Sequence, residues 1–105
     1  MLKVTKLGKV VKREYVIVRS ANAGVFAGYL ESRNGQEITL TNARRIWYWK
    51  GAATLSQLAM QGTSRPQECR FPMAVERVDI LKAEEVLYVS PEAKMSIEAV
   101  PTWSA

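Results

Sequence analysis

The sequence has no histidine and only one cysteine, Cys69, among its 105 residues. A single cysteine excludes an internal disulfide, and therefore the disulfide-stapled scaffolds typical of small secreted proteins. The absence of histidine removes the commonest general base at neutral pH and the commonest metal ligand. Because Ser-His-Asp and Cys-His catalysis cannot be assembled within one chain, we expect a protein that is not an enzyme and has no metal and no cofactor. Cys69 is expected to be a small apolar filler.

Long hydrophobic runs are also missing. No apolar stretch approaches the ~18 residues that a membrane-spanning helix needs. The first residues scatter lysines among single apolar side chains and lack the continuous hydrophobic segment of a signal peptide. Apolar residues make up 48% of the chain, enough for one core. We therefore expect a single domain over residues 1–105, located in the cytoplasm and not bound to a membrane.

Positive charge is concentrated in the first half of the chain. Residues 1–50 carry ten Lys or Arg and three Glu, a net charge of +7, whereas residues 51–105 carry five Lys or Arg and seven Asp or Glu, a net charge of −2. A basic surface raises the local concentration of anions. The asymmetry favours a nucleotide, a nucleic acid or an acidic protein as partner.

Five strands are predicted from runs of β-branched and aromatic residues between turn signals. A turn over residues 21–24 places Gly24 at positive φ, and Asn34-Gly35 is a strong hairpin signal. Gly28, in the middle of a strand, predicts a bulge or bend of the kind that curls a sheet into a small barrel. The expected strands are residues 14–20, 25–32, 37–42, 74–81 and 85–90.

Two short helices are predicted in the second half. Thr54 and Gln57 form a capping box for a helix over residues 54–61 that Gly62 ends. Residues 62–73 are expected to be an irregular loop, and Ser90-Pro91 begins a second helix that ends before Pro101. The expected fold class is mainly β (α+β): a small antiparallel SH3/Sm-like β-barrel with two short helices.

The stretch VIVRSANAGVFAGYLESRNGQEITLTNA resembles the first half of an Sm-like or SH3-like barrel. Residues 28–30 fall where Sm-like proteins have a bent strand, and residues 38–40 where they have a third strand of alternating pattern. The resemblance covers about 28 residues of the chain. The second Sm signature is absent, and residues 45–74 have no counterpart in those proteins.

The motifs GVFAG, NARRIWYWKGAATLSQLA and CRFP resemble a family of small proteins from tailed bacteriophages. The resemblance implies a phage-encoded accessory protein acting in the host cytoplasm. Small phage proteins of this kind are often inhibitors of host defence, and one class of them sequesters cyclic nucleotides in oligomeric pockets. The resemblance thus implies binding and sequestration of a nucleotide-type ligand.

Residues 44–50 are the main candidate for a site. If the strand continues, Arg44, Ile46, Tyr48 and Lys50 point to one side and Arg45, Trp47 and Trp49 to the other. Arginine binds phosphate bidentately, and aromatic rings stack on bases. Polar groups near the first turn of the next helix and two arginines of the following loop complete the predicted site. The predicted ligand-binding residues are Arg44, Arg45, Trp47, Tyr48, Trp49, Ser56, Gln57, Arg65 and Arg70.

Alternatives to this site remain open. Trp47 and Trp49 also suit a core or a subunit interface with the arginines at its rim, or one ring is buried and another exposed. A nucleotide-sequestering protein, an RNA- or DNA-binding module and a protein–protein inhibitor of a host factor all fit the sequence. The basic half and the apolar Trp103 near the end of the chain predict a homo-oligomer, either a dimer or a hexamer-like ring.

Overall fold

A computed structural model describes the backbone of residues 2–4 and 10–105 and the side chains of residues 13–105. A short antiparallel hairpin of β1 (Leu2–Val4) and β2 (Val10–Lys12) precedes a five-stranded antiparallel sheet in the order β6-β5-β4-β3-β7. The sheet strands are β3 (Tyr15–Ser20), β4 (Gly24–Asn34), β5 (Glu37–Arg45), β6 (Val75–Ile80) and β7 (Glu85–Tyr88). The helices are α1 (Leu55–Gln61), α2 (Pro91–Glu98) and a 3-10 turn at Pro66–Glu68.

Strands β3, β4 and β5 form the expected meander. Gly24 has a φ of 95°, as predicted for the turn before β4. The hairpin between β4 and β5 is confirmed, but its two loop residues are Gly35 and Gln36, one position later than the Asn34-Gly35 pair, since Asn34 pairs with Glu37. Gly35 takes the positive φ, 61°, that the first position of such a turn requires.

The predicted irregularity at Gly28 is confirmed. The β4–β5 register shifts between Ala27 and Tyr29, so that Gly28 faces two residues of β5. One of these, Asn42, has a φ of 47°. A Cβ on Gly28 would lie 3.0 Å from the Cα of Ala43. Glycine therefore allows the two backbones to approach closely where β5 accommodates its extra residue.

The sheet has apolar clusters on both faces. On one face, residues of β3 and β4 pack against the two helices and against Phe71. On the other face, apolar side chains from all five strands pack together with Ala83, which lies in the link between β6 and β7. Strand β3, which lies between β4 and β7, contributes to both clusters, with Ile17 on the helix side and Val16 and Val18 on the opposite side, all completely buried. Burial of both faces explains why β3 is a nearly continuous apolar run.

The expected closed SH3/Sm-like barrel is not formed among the described residues. Strands β6 and β7 stay at opposite edges of an open sheet. The link between them crosses the end of the sheet, where Ala83 N donates to Gln36 O and Glu84 N donates to Arg19 O. This link places β7 beside β3, so the two edges do not pair with each other. The mainly β class with two short helices is as predicted.

Both predicted helices are present and begin at the predicted caps. Thr54 Oγ1 accepts from Gln57 N, while Gln57 Oε1 accepts from Ala53 N, so the capping box is formed one residue wider than usual. Gly62 ends α1, and Ser90 caps α2 by accepting from Ala93 N. No helix in the described part of the chain is long and apolar enough to cross a membrane.

Candidate ligand-binding surface

Arg44 is buried, and its guanidinium is fully used inside the protein. Although it lies in the predicted site segment, it points away from solvent beneath the end of α2. Its five N–H groups make five hydrogen bonds, all to backbone carbonyls. The bonds run from Nε to Pro72 (3.4 Å), from Nη1 to Ile97 (3.1 Å) and Val100 (2.8 Å), and from Nη2 to Phe71 (2.9 Å) and Pro101 (3.4 Å).

These bonds give Arg44 a structural role. The carbonyls of Ile97 and Val100 belong to the end of α2, where helical carbonyls lack partners within the helix and a cation is favoured. Burial lowers the pKa of Arg44 below its usual range, while the nearby Tyr15 acts in the opposite direction. Arg44 thus joins β5 to α2 and to the loop before β6. Its donors are not available to a ligand.

Arg45, Trp47 and Trp49 line one groove together, here named the Trp47 groove. Residues 21–25 and Ile46 complete its lining, and its volume is about 440 Å³. The Arg45 guanidinium lies 4.3 Å from the centre of the Phe26 ring and donates to the Ala23 carbonyl. The Trp47 side chain is 63% exposed, whereas Trp49 is half-buried and donates from Nε1 to Ala52 O at 3.1 Å. One tryptophan is therefore anchored and the other is presented to solvent.

Tyr48, Arg70 and Trp103 form a second surface, here named the Arg70 cleft. The Arg70 guanidinium carbon lies 5.6 Å from the centres of both the Tyr48 and the Trp103 rings. Lys50 and residues 67–69 complete a cleft of about 310 Å³. Both rings are exposed, so their faces are accessible beside two cations.

Backbone pairing holds the two walls of the Arg70 cleft. β5 ends at Arg45, although the sequence predicts an extended strand up to residue 50. Beyond Arg45, Tyr48 forms a single β-bridge with Arg70, in which Arg70 N donates to Tyr48 O at 2.7 Å. On the other wall, Thr102 forms a parallel bridge with Phe71, and Trp103 N donates to Phe71 O at 3.0 Å. Main-chain hydrogen bonds therefore hold the backbone of the two residues that carry these rings.

The predicted alternation along residues 44–50 holds for the exposed side chains but not for Ile46, which lines the Trp47 groove. Arg45, Trp47 and Trp49 share the Trp47 groove, while Tyr48 and Lys50 line the Arg70 cleft. Ile46 and Arg44, expected on the same side as Tyr48, are the buried members of that set. The segment thus supplies two surfaces instead of a single site.

Besides the buried Arg44, three predicted site residues lie outside both surfaces. Ser56 and Gln57 are exposed on α1, and the Gln57 side chain is occupied by Ala53 N and by Gln61 Oε1. Arg65 lies near the Arg70 cleft without lining it and is 3.9 Å from a carboxylate oxygen of Glu68. The structure does not bring these residues together with Trp47 or Arg70.

Trp103, like Lys50, lines the Arg70 cleft but is not among the ligand-binding residues predicted from the sequence. Trp103 is the more distant of the two. It lies 33 positions after Arg70 in the sequence, and no local motif links the two. The hydrogen bonds of Arg44 and the Phe71–Thr102 bridge bring the end of the chain back to the cleft. Long-range pairing of this kind leaves no signal in the sequence.

Cys69 is buried at the base of the Arg70 cleft. Its thiol lies 3.5 Å from the Lys50 carbonyl and 3.6 Å from the Arg65 carbonyl. Neither neighbour is a base that would activate the thiol. In the part of the chain that the structure describes, no group of three or more His, Cys, Asp or Glu side chains is arranged to bind a metal ion.

The fold and these surfaces define a mainly β protein, with an open antiparallel sheet, two short helices and a surface that combines cations with aromatic rings. A family model described as a domain of unknown function, DUF6948, matches residues 13–97. The chain belongs to this family. A comparison with curated proteins and a comparison with solved structures both found no match.

Proposed function

We propose that this protein is a non-catalytic binding protein for nucleotide-type anions and that the ligand binds at the Arg70 cleft. The observation that carries the proposal is the position of the Arg70 guanidinium between the exposed rings of Tyr48 and Trp103. A nucleotide combines a flat base with charged phosphate. The cleft places aromatic rings, on which a base can stack, next to cations that can bind phosphate.

The two cations of the cleft are available for phosphate. Neither Arg70 nor Lys50 makes a side-chain hydrogen bond or an ion pair with another described residue. The one carboxylate of the cleft, Glu68, has Arg65 as its neighbour at 3.9 Å. Because arginine binds phosphate through two parallel hydrogen bonds, the Arg70 guanidinium would bind the phosphate while the base stacks on one of the two exposed rings.

Sequestration of a small nucleotide is the form of the proposal that the phage resemblance favours. An inhibitor of host defence of this kind would act in the host cytoplasm by holding a cyclic nucleotide without converting it. The Sm-like or SH3-like relationship also stays a proposal, supported by the β3–β4–β5 meander and the bend at Gly28.

Binding of single-stranded RNA or DNA is the second candidate. It is favoured by the two surfaces on one short segment, since Trp47 and Tyr48 are consecutive and expose their rings to the Trp47 groove and the Arg70 cleft. Successive bases stacking on aromatic side chains are typical of proteins that bind single strands. A strand that crosses residues 45–50 would use both surfaces.

Calorimetry on the native protein tests the proposal with mononucleotides, cyclic dinucleotides, cyclic trinucleotides and single-stranded RNA and DNA. We expect Arg70→Ala to weaken binding about ten- to a hundredfold, since a charge-assisted hydrogen bond is worth about 1.5–3 kcal/mol. Trp103→Ala should weaken it by a similar factor through lost stacking. Arg33→Ala is the matched control, because it removes the same charge at an exposed position of β4 outside the cleft and should leave the affinity unchanged.

Salt dependence separates the two candidates. Affinity for a polymer should fall steeply as the salt concentration rises, because several counterions are released together. A small nucleotide should show a shallower dependence and should be recovered intact after heat denaturation of the complex. A converted product would show an enzyme. If no anion binds, or if Arg70→Ala binds as well as the native protein, the proposal is wrong, and a protein partner becomes the better explanation.

A further inference from the structure

Strand β6 is an open edge of the sheet with an unusual order of side chains. Val75, Arg77 and Asp79 lie on its exposed face, and Leu81 follows directly after the strand. The side chain of Val75 is 46% exposed and that of Leu81 is 66% exposed. No strand in the described ranges, residues 2–4 and 10–105, pairs with the outer side of β6. The edge is therefore free to pair and carries apolar surface at both ends.

The order of these side chains allows two antiparallel copies of β6 to match each other. In an antiparallel pair of two β6 strands with a two-fold axis at Val78, Arg77 of each copy lies directly opposite Asp79 of the other. Val75 lies opposite Leu81 in the same register. Side chains directly opposite each other across two antiparallel strands are about 5 Å apart at Cβ and stabilise the pair when their charges differ. The face would thus have two ion pairs flanked by two apolar pairs.

Neighbouring registers of the same pair are unfavourable. An axis at Arg77 places the two Arg77 side chains opposite each other, and an axis at Asp79 does the same for the two carboxylates. Like charges directly opposite each other destabilise a strand pair. Charge therefore selects the register centred on Val78.

We propose that β6 pairs with β6 of a second copy of this chain and forms a symmetric homodimer with a continuous ten-stranded sheet. Charged side chains often protect an edge strand from pairing, but here the charges alternate in sign and match across the two-fold axis. Exposed ion pairs contribute little affinity and mainly set the register. Backbone hydrogen bonds and the Val75–Leu81 contacts supply the attraction. The inference does not depend on any ligand.

Sedimentation of charge variants tests the proposal. The native protein should be a dimer at tens of micromolar, as suits an edge-strand interface at the small end of the range for specific contacts. Arg77→Asp and Asp79→Arg should each give monomers, because each places like charges across the axis. The double variant Arg77→Asp/Asp79→Arg should restore the dimer. Arg33→Asp, an equal change of charge at an exposed position of β4, should leave the dimer intact.

Cysteine cross-linking tests the register itself. In a Cys69→Ala background, Val75→Cys mixed with Leu81→Cys should form a disulfide between copies under mild oxidation. Neither single variant should cross-link alone, because each position lies opposite the other and not opposite itself. A monomeric native protein, an oligomer that neither charge variant disrupts, or cross-linking of a single variant alone would overturn the proposal.

Discussion

Arg44 Nη1 donates to the carbonyl of Val100 at 2.8 Å, joining a strand of the sheet to the segment after α2, 56 positions later in the chain. The same guanidinium also donates to Phe71 and Pro101. Four separate parts of the fold therefore meet at one side chain: β5, the loop before β6, the end of α2 and the segment that carries Trp103. The adjacent Arg45 is exposed, donates to the Ala23 carbonyl and lies over the Phe26 ring.

Replacing Arg44 by alanine should strongly destabilise the protein. The change leaves buried carbonyls without donors, and we expect the free energy of unfolding to fall by about 2–4 kcal/mol. Arg45→Ala is the matched control and should cost less than about 1 kcal/mol because its side chain is exposed. Urea denaturation followed by far-UV circular dichroism measures both. Equal losses in the two variants would contradict the structural role of Arg44.

Stability should fall at alkaline pH because of Tyr15. Burial, aided by the nearby Glu98, raises the pKa of Tyr15 well above its usual range, so the hydroxyl stays neutral in the folded protein. In the unfolded chain it ionises near its ordinary pKa of about 10. The stabilising contribution is therefore complete below about pH 10 and is lost above it, at about 1.4 kcal/mol per pH unit.

Tyr15→Phe should make this alkaline decline shallower by about that slope. The pKa of Lys94, raised mainly by its hydrogen bond with Tyr29, adds a loss of the same sign that the variant retains. Tyr88→Phe, at an exposed position of β7, is the control and should keep the native decline. Chemical denaturation at a series of pH values above neutrality measures the slopes. An unchanged slope in Tyr15→Phe would show that another group is responsible.

Two glycines at positive φ should respond differently to substitution by alanine. A Cβ on Gly62 would clash with the side chain of Ser96 in α2, whereas a Cβ on Gly35 would meet no atom within 4 Å. Both substitutions carry the backbone strain of a positive φ, about 1 kcal/mol. We expect Gly62→Ala to lower the free energy of unfolding by clearly more than Gly35→Ala, because α1 and α2 must also separate. Thermal unfolding of the two variants gives the comparison.

Cys69→Ala should leave ligand binding unchanged. The thiol lies at the base of the Arg70 cleft but faces backbone carbonyls and not a base. Removing one small buried group should cost about 1 kcal/mol of stability. Calorimetry with whichever anion binds the native protein measures the affinity. A large loss of binding in a folded variant would indicate that the thiol takes part in recognition.

Local signals in the sequence were sufficient for most of the secondary structure. The capping residues Thr54 and Ser90 mark the starts of both helices, and the bend at Gly28 follows from a glycine inside a strand. These features depend on neighbouring residues, so they can be read from short stretches. The hairpin loop was displaced by one residue because pairing of Asn34 with Glu37 extends β4.

Long-range features were not predictable in the same way. The alternating pattern of residues 44–50 grouped Arg44 with Ile46. It could not show that the Arg44 guanidinium donates to five backbone carbonyls between residues 71 and 101. The closed barrel was expected because a meander with a bent strand suits closure, but the position of β7 beside β3 leaves the sheet open. Trp103 reaches the cleft through the same distant contacts. Sequence patterns singled out the segment around Trp47 and Tyr48 as a candidate site, and in the structure this segment lines two separate surfaces.

The position of β3 between β4 and β7 has a consequence for how the chain folds. Its residues are buried on both faces, yet one of its two neighbours, β7, is separated from it by most of the chain, with Arg19 paired to Glu85. During synthesis, the outer edge of β3 therefore stays unpaired and apolar until residues 85–88 have left the ribosome. Contacts between residues so far apart in the sequence slow folding, and the intermediates that precede them are prone to aggregation. A chain interrupted before β7 should be captured by chaperones or aggregate.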